Sequence, residues 1–237
     1  MWLEWVHLTS IPLRRFAPDE SPIGIASGCL VNYRNRRFIL TVAHAVELGS
    51  SDWAIELGFD ERRGTEIYRP HSFLYLGEMR CRTAAITEVD YCYAEVSMDI
   101  EPTFQYLTPL GPKSEKQHRH VFDMSKVAEP QANELFGFSG QVHPELHGTH
   151  ALVTEPTVYP GLRCTRSEGP FYEFALPVPH PGHDSFRGCS GAPIVDTQRR
   201  LVALVSSGDE AKNVIYGVSL SRYRFALDFY CNQIRPA

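Results

Sequence analysis

The chain has 237 residues, 43% of them hydrophobic and 22% charged, with a net charge of −5. This is the composition of a soluble globular protein with enough chain for one large domain or two small ones. It gives no basic footprint for nucleic acid, and no run of about eighteen apolar residues offers a membrane span.

The first residues, MWLEWVHLTSIPLRRF, put Glu4 and His7 where a signal peptide has a basic start and an unbroken apolar stretch, so export by that route is not expected. Short apolar runs rich in β-branched and aromatic residues then recur between turn signals, over 27–33, 37–42, 53–57, 91–96, 134–138, 171–176, 192–195, 201–206 and 214–220. Short strands spaced in this way predict an all-β barrel or sandwich. Two helices are predicted, a single turn over 43–48 and a terminal helix over 223–233 with apolar positions at Phe225, Leu227, Phe229 and Tyr230. Polar, charged and proline-bounded residues from about 110 to 131 read as a connector. The division is thus 1–112, a linker over 113–131, and 132–237, with a groove for a site where the two β units meet.

Cys29, Cys81, Cys92, Cys164, Cys189 and Cys231 are scattered without CxxC spacing. Neither a zinc cage nor a redox pair is signalled, and a reducing cytoplasm is the expected setting, although the even count leaves disulfides open. His143, His147 and His150 are spaced for a metal, but Pro144 and Gly148 break any helix that would align them, and a solvated loop is expected. His118, His120, His180 and His183 receive the same solvated reading.

Residues 184–195 read DSFRGCSGAPIV. Gly188 and Gly191 around Ser190 suggest a tight turn that exposes backbone N–H groups ahead of a strand, and an ordinary turn is the competing reading. An activated hydroxyl needs a base and a carboxylate as well. FILTVAHAV sets His44 at the end of an apolar strand, and EVDYCYAEV sets Asp90 at the start of another. Asp52, Asp60 and Asp99 are rival carboxylates in the same half, and a lone histidine at a strand end is more often structural.

TVAHAV, VDYCYAEV and GCSGAPIV, in that order, resemble the histidine, aspartate and serine motifs of the chymotrypsin/trypsin-like serine peptidases, particularly the disulfide-poor bacterial members. The likeness runs from about residue 23 to the C-terminal helix, and the intervals of 46 residues from His44 to Asp90 and 100 from Asp90 to Ser190 approximate the family's. The resemblance implies two antiparallel six-stranded Greek-key barrels, the first carrying His44 and Asp90 and the second Ser190, with a short C-terminal helix. It implies peptide hydrolysis by a Ser–His–Asp triad through an acyl-enzyme, with oxyanion donors on the backbone of Gly188 and Ser190 and neither cofactor nor metal. Asp184, six residues before the serine, is the implied base of the specificity pocket, where a buried carboxylate would select Arg or Lys. Ser206, Ser207 and Gly208 are the implied edge that pairs with an extended polypeptide substrate.

Several positions depart from the family. Cys189 replaces the aspartate that in secreted relatives receives a newly freed amino terminus, so that activation switch is not expected. Ala45 replaces a disulfide cysteine, Ala192 the usual second glycine, and Ser207 a frequent aromatic residue. The missing aspartate leaves a second reading open, a silent or partner-gated peptidase fold that binds peptides and is controlled by a regulatory protein. A Cys189 nucleophile is disfavoured because the G-x-S-G frame centres on Ser190. An α/β-hydrolase is excluded by Ala192 in its elbow and by the order of the triad.

Overall fold

The computed structural model of the protein describes residues 2–46, 52–60, 62, 64–80, 85–108, 111–147 and 151–233. Helix α1 (Trp2–His7) leads into β1 (Ile11–Phe16), β2 (Pro22–Tyr33) and β3 (Arg36–Thr41), after which the chain makes the one-turn helix α2 (Ala43–Val46). Residues 47 and 48 of the expected turn lie outside the described residues. Next come β4 (Trp53–Asp60), β5 (Gly64–Tyr68), β6 (Leu74–Arg80), β7 (Ala85–Val96), β8 (Thr103–Thr108), β9 (Gly111–His118) and β10 (Val121–Asp123). The second half contains β11 (Leu135–His147), β12 (Ala151–Arg166), β13 (Phe171–Ala175), β14 (Pro193–Asp196), β15 (Leu201–Asp209) and β16 (Val214–Ser219), and ends in α3 (Leu220–Gln233).

The molecule is mostly β, as expected. In the first half the order β5-β4-β1-β2-β3-β7-β6 forms one sheet, with β10 added in parallel to β2, and β8–β9 forms a separate hairpin. In the second half β11-β12-β13-β16-β15-β14 closes into a six-stranded barrel. The stretch read as a connector therefore carries structure of its own. Phe122 and Met124 are buried there, and the Arg119 guanidinium donates to the Ser10 carbonyl.

Alternation along the strands explains how the layers stack, because successive side chains point to opposite faces. On β2, β3 and β7, Leu30, Ile39, Cys92 and Ala94 join Leu13, Trp53 and Ile55 in the interior of the first unit. Their neighbours Val31, Phe38, Leu40, Tyr91 and Tyr93 face the other way. There they meet Val195, Leu201, Leu204 and Val218 from the barrel and Tyr223, Ala226 and Leu227 from α3. The barrel has its own interior, with Phe136, Phe138, Phe174, Ile194 and Val202 among its members. Helix α3 starts where the Ser219 hydroxyl accepts the Arg222 N–H at 3.3 Å, a cap three residues before its partner.

Two histidines depart from the solvated reading. His120 packs edge-on against Trp5 and Phe122, with ring centroids 5.1 and 4.7 Å away. His180 is only 9% exposed; its Nδ1 accepts the Gly182 N–H and its ring meets Phe186. Each lies next to aromatic residues, and burying ring area there outweighs hydration of the imidazole. His118, His143 and His183 are exposed, but His143 and His147 lie on β11 and not in the expected loop, and His150 lies outside the described residues. Cys29, Cys92, Cys164, Cys189 and Cys231 are free thiols, while Cys81 lies outside the described residues.

Candidate active site

Strand register brings His44 to Asp90. Antiparallel pairing of β3 with β7 sets Thr41 opposite Cys92, so the chain entering α2 two residues later stands beside Asp90. The His44 N–H donates to Asp90 Oδ1 at 3.1 Å, and imidazole Nδ1 lies 2.9 Å from Oδ1 and 3.0 Å from Oδ2. On the other side of the ring, Nε2 is 3.0 Å from Ser190 Oγ. The Asp52 carboxylate faces Arg15 and the Asp60 carboxylate accepts the Arg62 N–H, while Asp99, whose backbone N–H donates to the Ser97 hydroxyl, stands beyond the end of β7.

Burial is the largest single influence on Asp90 and acts to raise its pKa. Hydrogen bonds from the His44 ring, the Ser206 hydroxyl and the His44 N–H together outweigh it and hold the carboxyl below its ordinary value. An ionised carboxylate only accepts hydrogen bonds, so Nδ1 carries the ring proton and the Nε2 lone pair is left for the Ser190 hydroxyl. Ser206 thus departs from the substrate-edge expectation in its side chain. It is 8% exposed and its hydroxyl donates to Asp90 Oδ2 at 2.5 Å.

The serine turn connects a 3-10 turn at His183–Phe186 to β14. Gly188 and Gly191 have φ of 98° and 85°. A Cβ on Gly188 would come within 2.2 Å of the Gln141 carbonyl, and one on Gly191 within 2.1 Å of the Ser27 carbonyl, so no other residue fits either place without displacing backbone. Among the described residues the N–H groups of Gly188 and Ser190 have no acceptor, which leaves two donors beside the hydroxyl. Cys189 points away from them and fills the space over Gly140. Burial pushes its thiol up to about 12, so it is protonated at neutral pH.

A cavity of about 390 Å³ opens beside Ser190, walled by Asp184, Phe186, Arg187, Val205, Ser207, Gly208 and Ile215 among others. It gathers the residues expected to bind substrate, with one correction. Asp184 is exposed rather than buried, because the short turn that carries it lies on the surface, and exposed Arg187 shares the cavity. Beyond Ser206, β15 pairs with β16 on one side, while its ladder with β14 has ended, so Ser207 and Gly208 present a strand edge. A second cavity, about 530 Å³, adjoins His44 and Asp90 and is lined by Tyr75, Leu76, Glu88 and Val89.

No protein-family model matches the sequence, and no curated protein matches it. Solved structures do. Human heparin binding protein superposes with a TM-score of 0.60 at 12% identity over 98% of this chain and 95% of that one. A kallikrein-related peptidase 10 complex with Zn2+ gives 0.58 at 14% identity, covering 97% and 98%. The MamO protease domain from Magnetospirillum magneticum gives 0.52 at 12% identity, covering 93% and 96%.

The chain has the chymotrypsin-like serine peptidase fold.

At these identities the likeness concerns the fold. In the peptidase fold of this chain, the sheet of the first half contributes His44 and Asp90, the closed barrel contributes Ser190, and they meet where the two halves abut. No described helix is long and apolar enough to cross a membrane, and among the described residues no group of three or more His, Cys, Asp or Glu is arranged for a metal ion. Sequence reasoning missed Ser27, whose backbone and hydroxyl both touch the serine turn. A serine within a strand carries no signal of a partner 161 residues away.

Proposed function

We propose that the protein is a serine endopeptidase working through an acyl-enzyme, with His44, Asp90 and Ser190 as its triad. The observation that carries this reading is one imidazole bonded through Nδ1 to a carboxylate and through Nε2 to a hydroxyl. Ser190 Oγ attacks the peptide carbonyl carbon as its proton passes to His44 Nε2, and the Nδ1 proton stays between the ring and Asp90. The carbonyl oxygen gains the negative charge and is received by the N–H groups of Gly188 and Ser190. As the C–N bond breaks, Nε2 returns the proton to the leaving amine. Water, deprotonated by the same nitrogen, then attacks the ester carbonyl and releases the acid and the free hydroxyl.

An extended substrate pairs with the edge at Ser207 and Gly208 and directs the side chain before the cleaved bond into the cavity of about 390 Å³. Preference there for Arg or Lys is the finer part of the proposal and rests on the Asp184 carboxylate in the cavity wall. Placement in the cytoplasm rests on the free thiols Cys29, Cys92, Cys164, Cys189 and Cys231.

Labelling of purified protein with a fluorophosphonate tests the reaction. Wild type takes up label, whereas Ser190→Ala and His44→Ala do not; an unlabelled wild type supports the peptide-binding scaffold instead. A fluorogenic peptide library then tests the pocket, and equal cleavage after Leu and Arg removes the claim for Asp184.

A further inference from the structure

We propose that Ser27, which belongs to the first unit, is the positioning residue that holds the oxyanion turn in its donor-presenting form, a task that Cys189 cannot perform as a carboxylate. The inference rests on the peptidase reading for its catalytic meaning, and its geometry stands without it.

The turn is clearest one peptide unit at a time. The unit joining Gly188 to Cys189 is pinned at both ends: the Gly188 carbonyl accepts the Ser27 hydroxyl at 2.7 Å, and the Cys189 N–H donates to Phe186 O at 2.9 Å. The unit joining Ser190 to Gly191 is pinned in the same way. Its carbonyl accepts the Ser27 N–H at 2.9 Å, and its N–H donates to Val205 O at 2.8 Å. Between them, the Cys189 carbonyl accepts the Ala192 N–H at 2.8 Å. A trans peptide unit is planar with its C=O and N–H pointing in opposite directions, so a held carbonyl fixes where the N–H points. The Ser190 N–H is thereby directed away from the turn, unpaired, beside its own hydroxyl.

Ser27 is the residue that grips two of these units from outside the turn, through its N–H and its Oγ. It is itself fixed. Ser27 is fully buried, and its carbonyl accepts the Thr41 hydroxyl at 2.7 Å, which ties it to the end of the strand leading to His44. Without the hydroxyl, the buried Gly188 carbonyl loses its only donor among the described residues, and a half-rotation of the 188–189 unit toward the cleft rehydrates it. A carbonyl in that position repels the oxyanion that the turn otherwise receives. The turn accordingly needs no newly freed amino terminus to form, because a neutral hydroxyl from the facing unit already sets it.

The test is a kinetic and structural comparison of wild type, Ser27→Ala and Ser27→Thr. Ser27→Ala should lower kcat by about 10²–10³-fold, the range for loss of an oxyanion donor, with KM changed less than about twofold. A peptide boronate, whose tetrahedral adduct uses the same donors, should weaken by a similar factor. Ser27→Thr, which keeps the hydroxyl, should restore most of the loss. A kcat for Ser27→Ala within about threefold of wild type overturns the inference. Crystal structures give an answer independent of turnover and of how well threonine fits: rotation of the 188–189 unit in Ser27→Ala supports it, and an unmoved unit overturns it. If wild type neither cleaves peptides nor takes fluorophosphonate, the peptidase reading fails, and the crystallographic comparison still decides the role of Ser27.

Discussion

Ser190 and His44 meet at 3.0 Å, yet they stand on different supports. The serine turn is backbone held by backbone: three of its peptide units are hydrogen-bonded to Phe186, Val205, Ala192 and the buried Ser27, and its glycines sit against neighbouring carbonyls. The imidazole sits on a helix of one turn, with 48% of its side chain exposed, and the Asp90 carboxylate holds its Nδ1 edge. On the proposed peptidase reading, the difference suits the task assigned to each part. Donors that receive developing charge act best when they need no reorganisation, whereas a base that takes a proton from one atom and gives it to another needs a directed ring with some freedom.

Four experiments probe that contrast, beginning with the largest effect. Ser190→Ala and His44→Ala should each lower kcat by about 10⁶-fold, and the double variant should lose little more, because the two side chains act as one unit. Additive losses in a peptidase assay would mean the two supports work independently. Asp90→Asn keeps the geometry but presents an amide to Nδ1, and kcat should fall about 10⁴-fold with the fold intact by circular dichroism. A much smaller loss would show that the short helix orients the ring without its carboxylate.

The third concerns packing between the units. Arg14 and Glu56 form a buried ion pair at 2.6 Å, and the guanidinium reaches Thr154 in the barrel at 3.1 Å. Arg14→Met strands the carboxylate and should cost about 3–5 kcal/mol in denaturant unfolding, while Arg14→Met with Glu56→Leu should recover most of it. If kcat of the folded fraction is unchanged, the serine turn is independent of that bridge. The smallest effect is in acid. Burial first, and a neighbouring arginine second, lower the pKa of His7 and of His120. The unfolded chain then binds protons more readily than the folded one, so stability declines as pH falls below about 6.5. Asp90, with its lowered pKa, adds a loss only below its ordinary range of about 4. His120→Gln should flatten the first window in melting curves by a few degrees at most.

The strands that pack on both faces were legible in the sequence, since the runs at 37–42, 91–96, 201–206 and 214–220 are apolar enough to carry the pattern. Those touching the core on one face were not. β5 and β6 mix charged and exposed residues, and β12 contains Pro156 and Pro160, which argue against a strand. The structure accommodates Pro160 at an irregularity, where the register with β11 shifts between Phe136 and Gly137. Helix α1 was not legible either; Trp2 and Trp5 pack between the halves, where the Trp2 indole donates to Asp196 O at 2.8 Å. The meeting of His44, Asp90 and Ser190 was legible because each sits in a local motif and the motifs keep an order. Ser206 on Asp90 and Ser27 on Gly188 were not, because each depends on how one half is seated on the other.

That seating has a consequence for how the molecule comes apart. The apolar layer uniting Phe38, Tyr91, Leu204 and Tyr223 draws members from the sheet, the barrel and the last helix, so each half, though it has an interior of its own, exposes a broad apolar face to water once the other leaves. Severing the chain near residue 110 should therefore yield two fragments that fold only in each other's company, and heat should melt the intact protein in one step.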